Sequence, residues 1–194
     1  MNTVISMGAF ALASSISPGP VNLVALSSSM RHGFKVSMRH VIGATIGFTV
    51  LLLLTGLGMR ELLNVMPRLI EFVKWAGCAF LIYMAYKLVR DNGELGVSSE
   101  AKAPSFLSGA TMQWLNPKAW LASLAGMGAF AGSDIGLIWQ LTCIYFAICL
   151  ASLACWSAAG IFLRKYIDRP ARMRLFNRMI SALLVFSAVY LMQE

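Results

Sequence analysis

Ser17-Pro18-Gly19-Pro20 and, about a hundred residues later, Asn116-Pro117-Lys118 interrupt stretches that are otherwise apolar and helical. Proline inside a helix removes a backbone donor and clashes with the preceding turn, at a cost of roughly 3 kcal/mol or more. Pro18, Pro20 and Pro117 are expected to free the carbonyls of Ser14, Ile16 and Gln113. In lipid such a loss is tolerated only where the break is buried in protein or lines a wet cavity. Two breaks in corresponding places therefore point to a shared site.

The flanking composition sets the context. The chain has 194 residues, 58% hydrophobic and 12% charged, with a mean hydropathy of +0.71. A soluble domain carries about a quarter charged residues. The pattern is that of an all-α, polytopic membrane protein. Apolar segments run over 3–30, 37–59, 69–89, 105–130, 136–163 and about 175–193, six spans in all. The first, at 1.5 Å per residue, is about 42 Å long against a hydrocarbon core of roughly 30 Å. Gly33 is expected to stop it. Gly43 and Gly47 share one face of the second span, a close-packing signature. Trp75 and Tyr86 near the ends of the third suit an aromatic belt.

Residues 91–104 are hydrophilic and read as a linker between two halves, about 1–90 and 105–194, of a single transmembrane domain. Each half gives a broken span, an unbroken span, a connection and a third span. Three spans per half make the second half enter upside down, the plan of two inverted-topology three-helix repeats. The loops after spans one, three and five hold twelve of the sixteen basic residues; Arg60, Arg68 and Lys74 hold the opposite face, and Lys118 lies within a span. That bias makes the first face cytoplasmic and both termini periplasmic. It also accounts for the net charge of +8 without nucleic acid as a partner. The start Met1-Asn2-Thr3 has no basic n-region, so no cleaved signal is expected.

Ser and Asn are favoured N-caps, and proline is favoured at the first helical position. Ser17-Pro18 and Asn116-Pro117 thus read as helices restarting inside the membrane, each with unpaired N–H groups and a partial positive charge. Facing each other, they would form a pocket for a carboxylate, with freed carbonyls for an ammonium group, as in a zwitterionic amino acid. The candidate substrate-binding residues are Ser17, Pro18, Gly19, Pro20, Asn22, Gln113, Asn116, Pro117 and Lys118. Lys118 reads equally as a functional group, either a cation beside that carboxylate or a group whose protonation changes in the cycle, and as a structural lysine held by carbonyls that proline frees or snorkelling to an interface. Asn22 and Gln113 read equally as lining and as interhelical glue.

Cys78, Cys143, Cys149 and Cys155 form no CxxC pair and read as buried small hydrophobes. His32 and His40 flank a basic loop and read as solvated rather than as pH sensors. No metal motif is visible, and nothing calls for a cofactor. Glu61, Glu71 and Asp134 sit near span ends, so no carboxylate proton relay can be assigned. A thiol–disulfide conduit would need cysteines at the breaks, where there are none. A hydrolase or a primary pump would need HExxH, GxSxG or GxxxxGK[ST], all absent. The chain does not read as an enzyme.

The run SPGPVNLVALSSSMRHGF from Ser17, Gly43, Gly47-Phe48 and NPKAW from Asn116 resembles the LysE/RhtB family of bacterial amino-acid exporters. Ala25 to Ser28 and His32 to Phe34 are similar to its cysteine/O-acetylserine exporter branch. Val21 departs from the pattern, since many members carry a polar residue there. The resemblance implies a multi-pass inner-membrane secondary transporter that exports neutral or basic amino acids, coupled to the proton gradient. The alternative is a channel or a structural membrane subunit. The partners expected are an amino acid and the lipid bilayer, and a homo-oligomer is left open.

Overall fold

The computed structural model describes residues 3–58, 75–76, 78–79, 82–83, 85–86, 89–90, 104–166 and 170–193. Seven helices are assigned among them: α1 (Thr3–Ile16), α2 (Pro20–His32), α3 (Phe34–Leu57), α4 (Phe106–Trp114), α5 (Pro117–Phe130), α6 (Ile135–Arg164) and α7 (Pro170–Gln193). No strand occurs among the described residues. The connection 60–74, most of the third span and all but the end of the 91–104 linker lie outside the described residues.

Both proline breaks are present. The first bends the chain by 60° between α1 and α2. Its position corrects the expected one: α2 restarts at Pro20 with Gly19 as N-cap, whereas Ser17-Pro18 starts nothing. The cause is the second proline. A residue before proline is driven out of the α region, and Gly19 is fully extended at φ −162°, ψ 171°. The second break follows the sequence reading. Asn116 caps α5, its Oδ1 accepting from the Lys118 amide at 3.2 Å, with Pro117 at the first position.

α3 and α6, of 24 and 30 residues, are each long and apolar enough to cross a membrane, and the bent α1–α2 pair makes up to a third span. At 1.5 Å per residue α3 reaches about 36 Å. Gly33, at φ 83°, ends α2 and permits α3 to begin at once. Arg39 therefore stands on α3, and Arg172, Arg174 and Arg178 stand on α7, not in loops. Large apolar side chains such as Leu12, Leu54, Leu121, Phe162 and Phe186 face outward; water disfavours such a surface and lipid does not.

The middle of the bundle is α2. Every residue from Pro20 to Met30 is buried, polar Asn22 and Ser27 to Ser29 included. α6 packs along it and along α1, while α3 packs on α4 and α5. Two of these contacts are backbone against backbone. A Cβ on Gly43 would stand 2.7 Å from the Phe106 carbonyl carbon, and one on Gly47 would stand 2.7 Å from Ala110 Cα. Gly109 answers from α4, its missing Cβ making room for the His40 carbonyl and the Ala44 amide. The close-packing signature is thus a seam between α3 and α4. Gly160 of α6 lies against the Leu26 carbonyl of α2 in the same manner.

Candidate functional site

Each carbonyl at the first break has found a donor. Ser14 O accepts from Ser17 Oγ at 3.0 Å, Ser15 O from Asn22 Nδ2 at 2.9 Å, and Ile16 O from Trp156 Nε1 at 3.0 Å. At the second break Gln113 O accepts the Asn116 amide at 3.1 Å. These carbonyls are therefore taken by the protein's own donors. Each still has a second lone pair, so a substrate ammonium group would have to share the oxygen with that donor.

Lys118 brings the two breaks together. Its Nζ donates to Ser17 Oγ at 2.7 Å, Ser17 O at 2.9 Å and Pro18 O at 3.4 Å. The three donors of the ammonium thus meet three oxygens of the opposite break. This is the carbonyl-held lysine that proline breaks make room for. It also stands at a cavity wall, so the two roles weighed for it coincide in place.

A cavity of about 40 Å³ opens beside it, space for about three waters. Gly19, Asn22, Gln113, Asn116 and Lys118 line it. Ser17 and Pro18 reach it through Lys118, whereas Pro20 and Pro117 are buried helix starts outside the lining. The rest of the wall is Ser14, Ser15, Val21, Phe48, Ala119, Ala122, Tyr145, Cys149 and Leu153. The sequence marked none of these as lining, although Val21, Phe48 and Ala119 fall in the stretches that carry the family resemblance. Phe48 and Tyr145, 4.6 Å between ring centroids, sit mid-span on α3 and α6 amid uniform apolar sequence. Ser14 Oγ and Tyr145 Oη share a hydrogen bond. Ser15 Oγ is buried without a well-formed one.

The two helix starts differ electrically. α5 is capped by Asn116, but no side chain caps α2. A helix start without a cap keeps orphan N–H groups and its positive end. Those of α2 lie at Gly19, Val21 and Asn22, three cavity-lining residues. The symmetrical pair of anion-seeking ends expected from the sequence is therefore one open end plus a lysine.

Two other readings change. Cys78 and Cys149 are buried as expected, but Cys143 and Cys155 are exposed. His40 is fully buried, not solvated. α3 starts at Phe34, three residues ahead of the expected span, and His40 lies on its inward face with Ser37, Val41 and Ala44.

A translocator family follows from the sequence match. Residues 12–194 match the family described as LysE type translocator. The chain belongs to the LysE family. It is thus a multi-pass membrane transporter and not an enzyme. It is similar to the cysteine/O-acetylserine efflux protein of Escherichia coli strain K12, 28% identical over 184 residues, which is 93% of this chain and 92% of that one. The protein of the same name from Shigella flexneri matches equally, and that of Escherichia coli O6:K15:H31 is 27% identical over the same share of both chains. No solved structure matches the chain.

The cap gives a direct test of the second break. Asn116→Ala should cost about 1 kcal/mol and lower the unfolding midpoint in detergent by roughly 2–4 °C for a chain this long. Asn116→Ser should keep most of that stability. Equal losses for the two would show that the cap is not what holds α5.

Proposed function

We propose that the protein exports a small neutral amino acid from the cytoplasm across the bacterial inner membrane, in exchange for protons. One observation carries this: the uncapped start of α2 and the Lys118 ammonium border one cavity between two proline breaks. A substrate carboxylate would take the α2 amides and share Lys118 with Ser17. Its ammonium would turn to Ser15 Oγ and the Gln113 side chain, the polar groups across the cavity. Substrate-binding roles fall on Ser17, Pro18, Gly19, Pro20, Asn22, Gln113, Asn116, Pro117 and Lys118, with the prolines acting through the breaks they hold open. The names of the similar proteins supply the substrate class, cysteine or O-acetylserine. The tight walls of Phe48, Tyr145 and Leu153 suit a short side chain.

The six-span, inverted-repeat plan belongs to this reading. α1–α2 and α4–α5 are the two broken spans, and α3 and α6 follow them. α3 packs on both halves of the second break, and α6 on both halves of the first. Exchanging the repeats maps one set of contacts onto the other, as a pseudo-two-fold axis in the membrane requires. The third and sixth spans are 69–89 and α7; Ser181 of α7 donates to the Ala85 carbonyl at 3.0 Å. Repeats of about 1–90 and 105–194 then form one domain, with both termini periplasmic by the distribution of basic residues.

Proteoliposomes given a panel of labelled amino acids, with and without a pH gradient, test the proposal. Saturable transport of cysteine or O-acetylserine, driven uphill by the gradient, is expected. Flux that never saturates would make the protein a channel.

A further inference from the structure

We propose that His40 is the side chain that carries the exchanged proton, an inference that rests on the proton-antiport reading above. An antiporter needs a group inside the bundle that gains and loses a proton near neutral pH. Among the described helices no carboxylate is available for this: none of the acidic residues lies within α1 to α7, and Asp134 is spent capping α6. The buried titratable side chains of these helices are His40, Lys118, Tyr145 and Cys149. Only histidine ordinarily titrates between pH 5 and 8. Lys118, moreover, has all three donors engaged.

The placement of His40 fits the task. Its side chain is fully buried on α3, and neither ring nitrogen makes a well-formed hydrogen bond. The ring lies against the backbone of Val21, in the first turn of α2. That turn is where the cavity is lined by Gly19, Val21 and Asn22. Among the described residues no charge faces the imidazole from the packed elements. α4, which crosses at Gly109, has no charged residue, and α2 has none before Arg31 in its last turn. On α3 itself Lys35 and Arg39 are exposed, while Lys118 of α5 and Tyr145 and Cys149 of α6 belong to the cavity wall.

Coupling follows from the shared turn. Neutral imidazole has one N–H, and imidazolium has two. A buried imidazolium must find acceptors, and the Val21 carbonyl is the one at hand. Drawing that carbonyl toward His40 pulls on the turn whose amides receive the substrate carboxylate. Proton and substrate then disfavour each other, which is what exchange requires.

The test separates coupling from transport. In proteoliposomes, His40→Gln should lose uphill uptake of labelled O-acetylserine under a pH gradient by tenfold or more. Its exchange of labelled for unlabelled O-acetylserine at equal pH should stay within about twofold of wild type. If wild type is coupled and His40→Gln is coupled as strongly, the inference fails alone. If wild type ignores the gradient, the antiport reading fails and takes the inference with it. Should His40→Gln not elute as a single species in detergent, the nitrogen resonances of labelled histidine decide. In His32→Gln protein a single imidazole remains, and across a pH series saturating O-acetylserine should shift its spectra toward the neutral pattern. Spectra unchanged throughout the series overturn the proposal.

Discussion

Replacing Lys118 by alanine is expected to cut export by about tenfold or more while the protein still reaches the membrane. Hydrogen bonds to a charged group contribute about 1.5–3 kcal/mol each, and 1.4 kcal/mol is a factor of ten. Lys118 makes two such bonds shorter than 3 Å, both to Ser17. The variant loses the cation at the cavity and leaves the Ser17 carbonyl unpaired. Growth on a toxic amino-acid analogue, with membrane level quantified, reads the effect. Lys118→Gln sharpens it, because the amide can still donate to Ser17 but brings no charge. The glutamine variant should regain thermal stability and not export. Wild-type export by Lys118→Gln would show that charge at this position is dispensable.

A larger loss, of folding itself, is expected from Gly109→Val and Gly43→Val. Ordinary overpacking of a core costs about 1–3 kcal/mol because side chains and backbone can shift. Here the added carbon would strike main chain: the His40 carbonyl for Gly109, the Phe106 carbonyl for Gly43. The two helices would have to part along their length. We expect little monodisperse protein to be extracted from membranes, well under a tenth of the wild-type yield. Gly8→Val is the control, since the nearest atom to its missing Cβ is the end of the Ile148 side chain at 3.8 Å. Normal yield from Gly109→Val would mean that the seam is looser than described.

The breaks were legible because proline acts through its own chemistry, whatever surrounds it. Asn116 was legible as a cap for the same local reason, and the Gly43–Gly47 spacing carried the α3–α4 contact. Reading failed where two local rules competed. Ser17 is a good cap residue and Pro18 a good first residue, but Pro20 forces Gly19 into extended backbone and moves the start by two positions. The cavity wall was illegible for another reason. Tyr145, Cys149 and Phe48 lie inside long apolar helices where every residue looks alike, and only the packing of α3 against α6 selects them. His40 was misplaced because the nearby Lys35 and Arg39 suggest an exposed stretch, whereas its own face of α3 packs inward against α4.

The glycine seams also restrict how such a molecule can move. Main chain pressed on main chain has no room to slide, so α3 travels with α4 and α6 with α2, as two stiff blocks. The 40 Å³ chamber takes Phe48 and Gln113 from one block and Val21, Asn22, Tyr145 and Leu153 from the other. Widening the chamber would therefore mean tilting one block away from its neighbour, beside the lysine clasp that ties Ser17 to α5.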